Sequence, residues 1–421
     1  MPFFKRQSAK PVAISLDIGT EFVKALVFEI DDGRGIVIGQ GRERQRLSDM
    51  HGGAVTDIGG VIRTASKAVH AAITQAKRPV EQAVVGIAGE LVKGSTTITT
   101  SIRKKPHDPI TDNELRDIIA SAQKQTLQKS HKDLAWETGY LQIDVQLVNS
   151  AVVSVKIDGY RVSNPLGFQG RQVEVGIYTS YAPTVHLGAV QTIVEGLDLD
   201  LLSIATEPYA VARCFGSAGD SSDISSIFID VGGGTTDIAV VRSGGLEGTK
   251  MFALGGRVFT KRLASQLKIS FSEAEAIKVA YAEERLENKD MKRVRDFIAG
   301  DVEVWLSGVQ LALEEFANSD RFQDNNLLPS RIYLCGGGSL LPDLKRALDG
   351  ADWTAGLPFA KHPEVSYIKP DQVTNIVDTT DSLHSTQDVT PMALANIALD
   401  LAGIETPASG ALSKILKGLR S

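Results

Sequence analysis

Three glycine-rich turns and a few carboxylates carry the chemistry that this sequence offers. Leu16-Asp17-Ile18-Gly19-Thr20, Ile229-Asp230-Val231-Gly232-Gly233-Gly234-Thr235-Thr236-Asp237 and Leu334-Cys335-Gly336-Gly337-Gly338-Ser339 each close an apolar run of strand character. Phosphates are held best by backbone N–H groups, which glycine turns expose without side-chain obstruction, and by nearby hydroxyls and cations. Aspartates oppose phosphates until a metal is added. Mg²⁺ keeps most of its waters, so carboxylates can hold those waters while phosphates coordinate the ion. Asp17 and Asp230, each at a strand end before a glycine turn, are expected to approach such an ion from opposite sides of a cleft. The first turn alone fits an ordinary hairpin equally well. Three glycines before Thr235-Thr236-Asp237 cost backbone entropy that a hairpin does not need, and point to close approach of a ligand. Gly336, Gly337, Gly338 and Ser339 stand between a buried strand and a helix, where backbone can lie against a base or ribose.

The elements that must position these residues fall into two similar units. Residues 11–30 read as strand, glycine turn and strand, and residues 227–241 repeat that pattern half a chain later, which predicts an internally duplicated α/β fold. Helical rhythm is expected over 57–77, a strand over 83–87, an amphipathic helix over 183–196, and a strand over 202–204 leading into a helix near Glu207. A long helical region is expected at about 272–318 with a break near 288–290. The polar stretch 88–168, with one helix near 112–128 and strand alternation over 139–148 and 151–157, reads as an inserted α+β subdomain. The predicted organisation is a tail (1–10), a first unit (11–87 and 169–206) interrupted by the insertion, and a second unit (207–370) with a small subdomain at about 251–318. A polar surface loop (371–390) and a helix from 391 make up a closing segment (371–404), and a linker with a terminal helix occupies 405–421.

The chain has 421 residues, more than one hydrophobic core usually serves, so two large domains are expected. With 43% hydrophobic and 23% charged residues it has the composition of a soluble globular protein, and a net charge of -6 argues against general nucleic-acid binding. Cys214 and Cys335 read as buried structural thiols of a reducing compartment. No apolar run reaches the roughly 20 residues of a membrane span. Met1-Pro2-Phe3-Phe4-Lys5-Arg6 lacks a signal-peptide core, so a cytoplasmic protein is expected.

The three turns, together with Thr206-Glu207-Pro208-Tyr209-Ala210-Val211-Ala212, resemble in order the phosphate-1, connect-1, phosphate-2 and adenosine motifs of the actin, DnaK-type chaperone and sugar-kinase superfamily. That resemblance implies an actin-like (ribonuclease H-like) duplicated fold that binds ATP or ADP with Mg²⁺. It implies magnesium waters on Asp17 and Asp230, and phosphates on Gly19, Thr20, Gly232, Gly233, Gly234 and Thr235, with Lys24, Gly255 and Gly256 also at the cofactor. Gly336, Gly337, Gly338 and Ser339 would flank adenosine. Glu207 would stand near the attacking water, with Asp17 as a second candidate catalytic carboxylate and Asp237 behind the first ring of contacts. A helix-start acid favoured by the dipole explains Glu207 equally well.

Asn164-Pro165-Leu166-Gly167-Phe168, Val173-Glu174-Val175, Gly196-Leu197, Ala253-Leu254-Gly255-Gly256 and Ser272-Glu273-Ala274-Glu275-Ala276-Ile277-Lys278 are similar to the FtsA family of bacterial cell-division proteins. In that family the insertion (SHS2-like) mediates contacts between protomers and with other division proteins. The resemblance places Glu275 and Lys278 near ribose and base, where an i,i+3 surface ion pair is the alternative. Arg257 follows Gly255-Gly256 where many relatives have an acid, and the insertion matches poorly outside its end.

Leu412, Ile415, Leu416 and Leu419 fall at i, i+3, i+4 and i+7, with Lys414, Lys417 and Arg420 at other positions, which predicts a short basic amphipathic helix. It resembles the FtsA membrane-targeting helix, which tethers filaments of the tubulin-like FtsZ to the cytoplasmic membrane; a helix docked on its own domain is the alternative. One short helix binds an anionic inner-membrane surface weakly, so self-association into filaments would supply avidity. The expected protein is a peripheral, division-site adaptor with at most slow ATP hydrolysis. A PilM-like scaffold of type IV pilus assembly is the alternative, favoured by Phe3-Phe4-Lys5-Arg6. A small-molecule kinase lacks an identifiable base and acceptor pocket, and a DnaK-type chaperone would need a large additional β domain.

Overall fold

The computed structural model describes residues 10–89, 92–138, 144–215, 224–318 and 327–401. The first unit opens with a meander of β1 (Val12–Ile18), β2 (Phe22–Asp31) and β3 (Arg34–Arg44), followed by a small hairpin of β4 (Met50–His51) and β5 (Ala54–Val55). Helix α1 (Ile58–Ala76) starts where the Asp57 carboxylate accepts from the Gly60 N–H, and ends at Lys77 in the left-handed region, φ 52°. Its buried stripe of Val61, Ala65, Ala68, Val69 and Ala72 packs on β2 and β3. Gly41 in β3 permits that approach, since a Cβ there would stand 1.9 Å from the Ala68 carbonyl oxygen. Strand β6 (Gln82–Ile87) then pairs parallel to β1.

The insertion follows as β7 (Lys93–Ile102), α2 (Asp112–Thr138), β8 (Val145–Ile157), β9 (Tyr160–Arg161) and β10 (Gln172–Pro183). Its central strand is β10, flanked by antiparallel β7 and β8. That strand begins past residue 168, so the sheet of the insertion outruns the range 88–168. Helix α2 runs on beyond residue 128, and one strand, β8, spans the stretch expected as two from residue 145 onward; residues 139–143 lie outside the described residues. Ile110, Leu115, Ile119, Val155, Val173 and Val175 form its separate core. The chain then returns through α3 (Thr184–Glu195), β11 (Asp200–Thr206) and α4 (Glu207–Arg213).

The second unit repeats the opening as β12 (Ser226–Val231), β13 (Thr236–Arg242) and β14 (Gly245–Phe252). Helices α5 (Gly256–Leu267), α6 (Phe271–Ala282) and α7 (Asn288–Ala317) come next. A capping box between Ser270 and Glu273 starts α6. The break in the long helical region lies between α6 and α7, just before 288–290, where Glu284 adopts φ 54°. Strand β15 (Arg331–Cys335), α8 (Pro342–Asp349), β16 (Glu364–Tyr367), β17 (Ile376–Asp378) and α9 (Val389–Leu401) complete the described chain.

Strand order shows the duplication directly. The first sheet runs β11-β6-β1-β2-β3-β17, and the second contains β16-β15-β12-β13-β14. Each unit thus has an antiparallel meander with two parallel strands added beside its first strand. The insertion continues the second sheet to nine strands through β7 on β14, with Gly248 opposite Ser95 and Thr249 opposite Gly94. Helices α4 and α9 pack together in a core that includes Phe28, Phe228, Met392 and Leu394. Burial on both faces of β1 and β12 follows from this layering.

Residues 371–390 are not the simple surface loop their polarity suggests. Strand β17 extends the first sheet parallel to β3, and Thr386, Asp388 and Thr390 are buried. The polar side chains satisfy the segment's own turns: Asp378 accepts from the backbone N–H groups of Thr380, Ser382 and Leu383. Cys214 and Cys335 are both fully buried free thiols.

Candidate functional site

Asp17 and Asp230 occupy equivalent places in the two units, near the ends of β1 and β12, and both face one cleft of about 730 Å³. Their partners in the adjoining strand differ in charge. Asp17 sits opposite Lys24 and Asp230 opposite Asp237. The Lys24 ammonium donates to Asp17 Oδ2 over 2.9 Å and to the Gln387 carbonyl over 2.8 Å. Burial alone would lower the Lys24 pKa; the Asp17 charge and hydrogen bond outweigh it, and the ammonium titrates above its usual value.

The carboxylates of the second unit carry the opposite strain. Burial, then the neighbouring Asp230 charge, pushes Asp237 up to about 8. Burial also raises Asp230, against the pull of the Thr390 hydroxyl, which donates to Asp230 Oδ2 over 2.6 Å, and of the Lys24 charge. Glu207, the first residue of α4, reaches the same cleft. Burial, followed by the charges of Asp17, Asp237 and Asp230, holds it well above the usual carboxylate range. Four carboxyl groups with too little positive charge between them form a place where a hard cation would be stabilised. Among the described residues no three side chains are grouped to hold a metal ion directly.

The glycine turns surround this point. Gly19, Thr20, Gly232, Gly233 and Thr235 line the cleft, as do Gly256, Gly336, Gly337 and Gly338. Gly234 lies against Thr20, where a Cβ would meet Thr20 Oγ1 at 2.8 Å. Gly255 sits behind the Gly232 turn, with no space for a Cβ against Gly232 O at 2.7 Å. Ser339 is buried away from the cleft, and its hydroxyl donates to the Gly336 carbonyl over 2.7 Å. Gly336 has φ 83° and ψ 157°, a conformation open essentially to glycine. A Cβ there would fall 2.0 Å from Asp230 Oδ1. At these three positions the absence of a side chain lets the turns pack directly on Thr20, Gly232 and Asp230.

At the far side of the cleft, Glu275 and Lys278 form the ion pair, at 2.8 Å, that their spacing allows. The pair is not a free surface contact. Lys278 Nζ also donates to the Gly256 carbonyl over 3.1 Å and to Thr260 Oγ1 over 2.9 Å. Both side chains line the cleft with Arg285, Leu340 and Leu341.

Gln387, Thr390, Arg42 and Arg44 also line the cleft and carry no motif in the sequence. Arg42 lies over the Phe22 ring at 3.7 Å. The only sequence signal near Thr390 is Pro391, which marks a helix start and says nothing of Asp230. Leu412, Lys414, Ile415, Leu416, Lys417 and Leu419 lie outside the described residues, as does Phe3-Phe4-Lys5-Arg6.

Comparison with known proteins fits this geometry. The profile of the family described as cell division protein FtsA matches residues 227–385, which span the Asp230 turn and the Gly336 turn. Over that segment the chain is similar to the FtsA family. It is 27% identical to cell division protein FtsA of Neisseria meningitidis serogroup B over 267 residues, 63% of this chain and 60% of that one. To FtsA of Enterococcus faecalis it is 25% identical over 353 residues, 79% of this chain and 74% of that one. The Neisseria match thus covers less than two thirds of its FtsA. Among solved structures, the PilM-PilN type IV pilus biogenesis complex superposes with a TM-score of 0.61 at 18% identity, covering 93% of this chain and 98% of that one. At that identity the likeness concerns the fold alone, which is the actin fold, α/β and duplicated. Among the described residues no helix is long and apolar enough to cross a membrane.

Proposed function

We propose that this chain is a cell-division protein that binds ATP or ADP with Mg²⁺ in the cleft between its two units. The observation that carries the nucleotide reading is the symmetric pair Asp17 and Asp230, on equivalent hairpins facing one glycine-walled cleft. Mg²⁺, when bound, neutralises phosphate charge. Gly19, Thr20, Gly232, Gly233 and Thr235 offer backbone and hydroxyl donors to phosphates, with Lys24 as the adjacent cation. Glu207, held high by burial and by its acidic neighbours, orients water as a proton acceptor once cations lower its pKa. Hydrolysis is slow, and nucleotide acts chiefly by holding the two units together.

The division role rests on the likeness to FtsA. In this reading the protein assembles into filaments at the division site, on the cytoplasmic face of the membrane. The basic amphipathic segment with Leu412, Ile415, Leu416 and Leu419 anchors it to anionic lipid, FtsZ is its partner, and the insertion contacts other division proteins. Co-sedimentation with anionic liposomes, ATP and Mg²⁺, with and without FtsZ, tests both claims. The full-length protein should pellet and bring FtsZ with it, and a chain truncated after Glu405 should stay in solution. If neither form binds lipid or FtsZ, the adaptor reading fails and a PilM-like scaffold becomes the better account.

A further inference from the structure

Arg257 joins the two units at the mouth of the glycine turns. It leaves the first turn of α5 in the second unit, and its guanidinium ends against the first unit. Its Nε donates to Glu21 Oε2 over 2.7 Å, Nη2 to the Thr20 carbonyl over 2.5 Å, and Nη1 to the Met50 carbonyl over 3.3 Å. Glu21 takes a second arginine on its other oxygen, from Arg44 Nε at 2.7 Å. The Arg257 and Glu21 side chains keep only 10% and 13% exposure, so solvent screens their attraction little.

The backbone at each end of this bridge belongs to a phosphate turn. The Arg257 N–H donates to the Gly233 carbonyl over 2.8 Å, and the Gly256 N–H to the Gly232 carbonyl over 2.9 Å. On the other side Glu21 directly follows Thr20, and its carbonyl accepts from the Gln45 N–H over 2.9 Å. The turns are in contact: a Cβ on Gly233 would meet the Glu21 Cβ at 2.7 Å. An acid at 257 would confront Glu21 with like charge, so the arginine at 257 and the acid at 21 are complementary. A lysine could not serve three acceptors in the plane of one fork.

We propose that Arg257 is a positioning residue. Together with Glu21 it straps the phosphate turn of the first unit to that of the second, and so sets how fast nucleotide leaves the cleft. This rests on the nucleotide-binding reading above, and the test separates the two.

Full-length protein is loaded with fluorescent mant-ATP and Mg²⁺ and chased with excess ATP in a stopped-flow instrument. Arg257→Ala should release the probe about tenfold faster than wild type, from the loss of a charge-assisted contact. Arg257→Lys should fall between the two, and it carries the test if the alanine variant does not fold. Glu21→Gln should also speed release, and Glu21→Gln with Arg257→Ala should be no faster than Arg257→Ala alone. Wild-type release rates in Arg257→Ala and Arg257→Lys, or effects at 21 and 257 that multiply independently, overturn the strap. Hydrogen exchange of the nucleotide-free proteins gives a second readout. The amides of Gln45, Gly256 and Arg257 should exchange faster in the Arg257 variants, and unchanged exchange there counts against the strap. If wild-type protein binds no mant-ATP, the nucleotide reading falls, while the exchange result still decides the strap.

Discussion

The Thr390 hydroxyl donates to Asp230 Oδ2 over 2.6 Å, so the first turn of α9 fixes a carboxylate on β12 from 160 residues away. That bond leaves Oδ1 as the oxygen beside Gly336. Thr390→Val preserves shape and removes the donor. It should weaken Mg²⁺-dependent ATP binding by about tenfold, as outer-shell changes at metal sites do. Asp230→Ala should abolish that binding. Calorimetric titration with ATP, with and without Mg²⁺, checks both, and retained affinity in Asp230→Ala would remove Asp230 from the site.

Asp237 yields a pH prediction whose sign follows from its raised pKa. The folded protein keeps this proton up to about pH 8, whereas the unfolded chain loses it near 3.8. The folded state therefore binds more protons across that window, and stability falls as pH rises from about 4 to about 8. Glu207 and Asp230 are raised too and act in the same direction. Melting temperatures of metal-free protein should decline through this window. Asp237→Asn mimics the protonated form, and should flatten the decline and raise the melting temperature near neutral pH. Adding Mg²⁺ with ATP to wild type should stabilise most at the alkaline end.

These two cases differ in how much the sequence reveals. Asp17 with Lys24 and Asp230 with Asp237 are hairpin neighbours, seven residues apart in each unit, so local spacing is enough to put them together. The glycine turns are legible for the same reason. Gln387 and Thr390 reach the cleft, and Arg257 reaches Glu21 beside it, only because distant elements pack: Lys24 meets Gln387 across 363 positions and Arg257 meets Glu21 across 236. No periodicity encodes such contacts. Polarity also misleads over residues 371–390, where Asp378 and Thr390 turn their polar groups inward. The docking of the insertion on the second sheet was equally hidden. Its strand ladder consists of two residue pairs, one of which needs Gly94, where a Cβ would stand 2.1 Å from the Tyr178 hydroxyl.

Leu416→Asp tests the terminal segment without truncation. It puts a charge on the apolar stripe of Leu412, Ile415, Leu416 and Leu419, where burial in the lipid interface would be costly. Pelleting with anionic liposomes should be lost, with ATP affinity unchanged. Unaltered sedimentation with vesicles would count against the anchor.

Gly336→Ala should damage fold and site together. At φ 83° and ψ 157° an alanine is strained by about 1–3 kcal/mol. Its Cβ would also stand 2.0 Å from Asp230 Oδ1 and 2.5 Å from the Val231 carbonyl oxygen, so the turn or the carboxylate must move. The melting temperature should drop by about 2–10 °C. Mg²⁺-dependent ATP binding should fall below detection even in the fraction that remains folded, because Asp230 is displaced. Gly188→Ala is the matching control. Gly188 lies within α3 and a Cβ there meets nothing within 4 Å, so helix propensity makes the change neutral or stabilising by up to ~1 kcal/mol. Calorimetric melting and nucleotide titration of the two variants should therefore diverge. Equal melting temperatures would show that the Gly336 turn relaxes around a side chain, and that its conformation is not required by the carboxylate beside it.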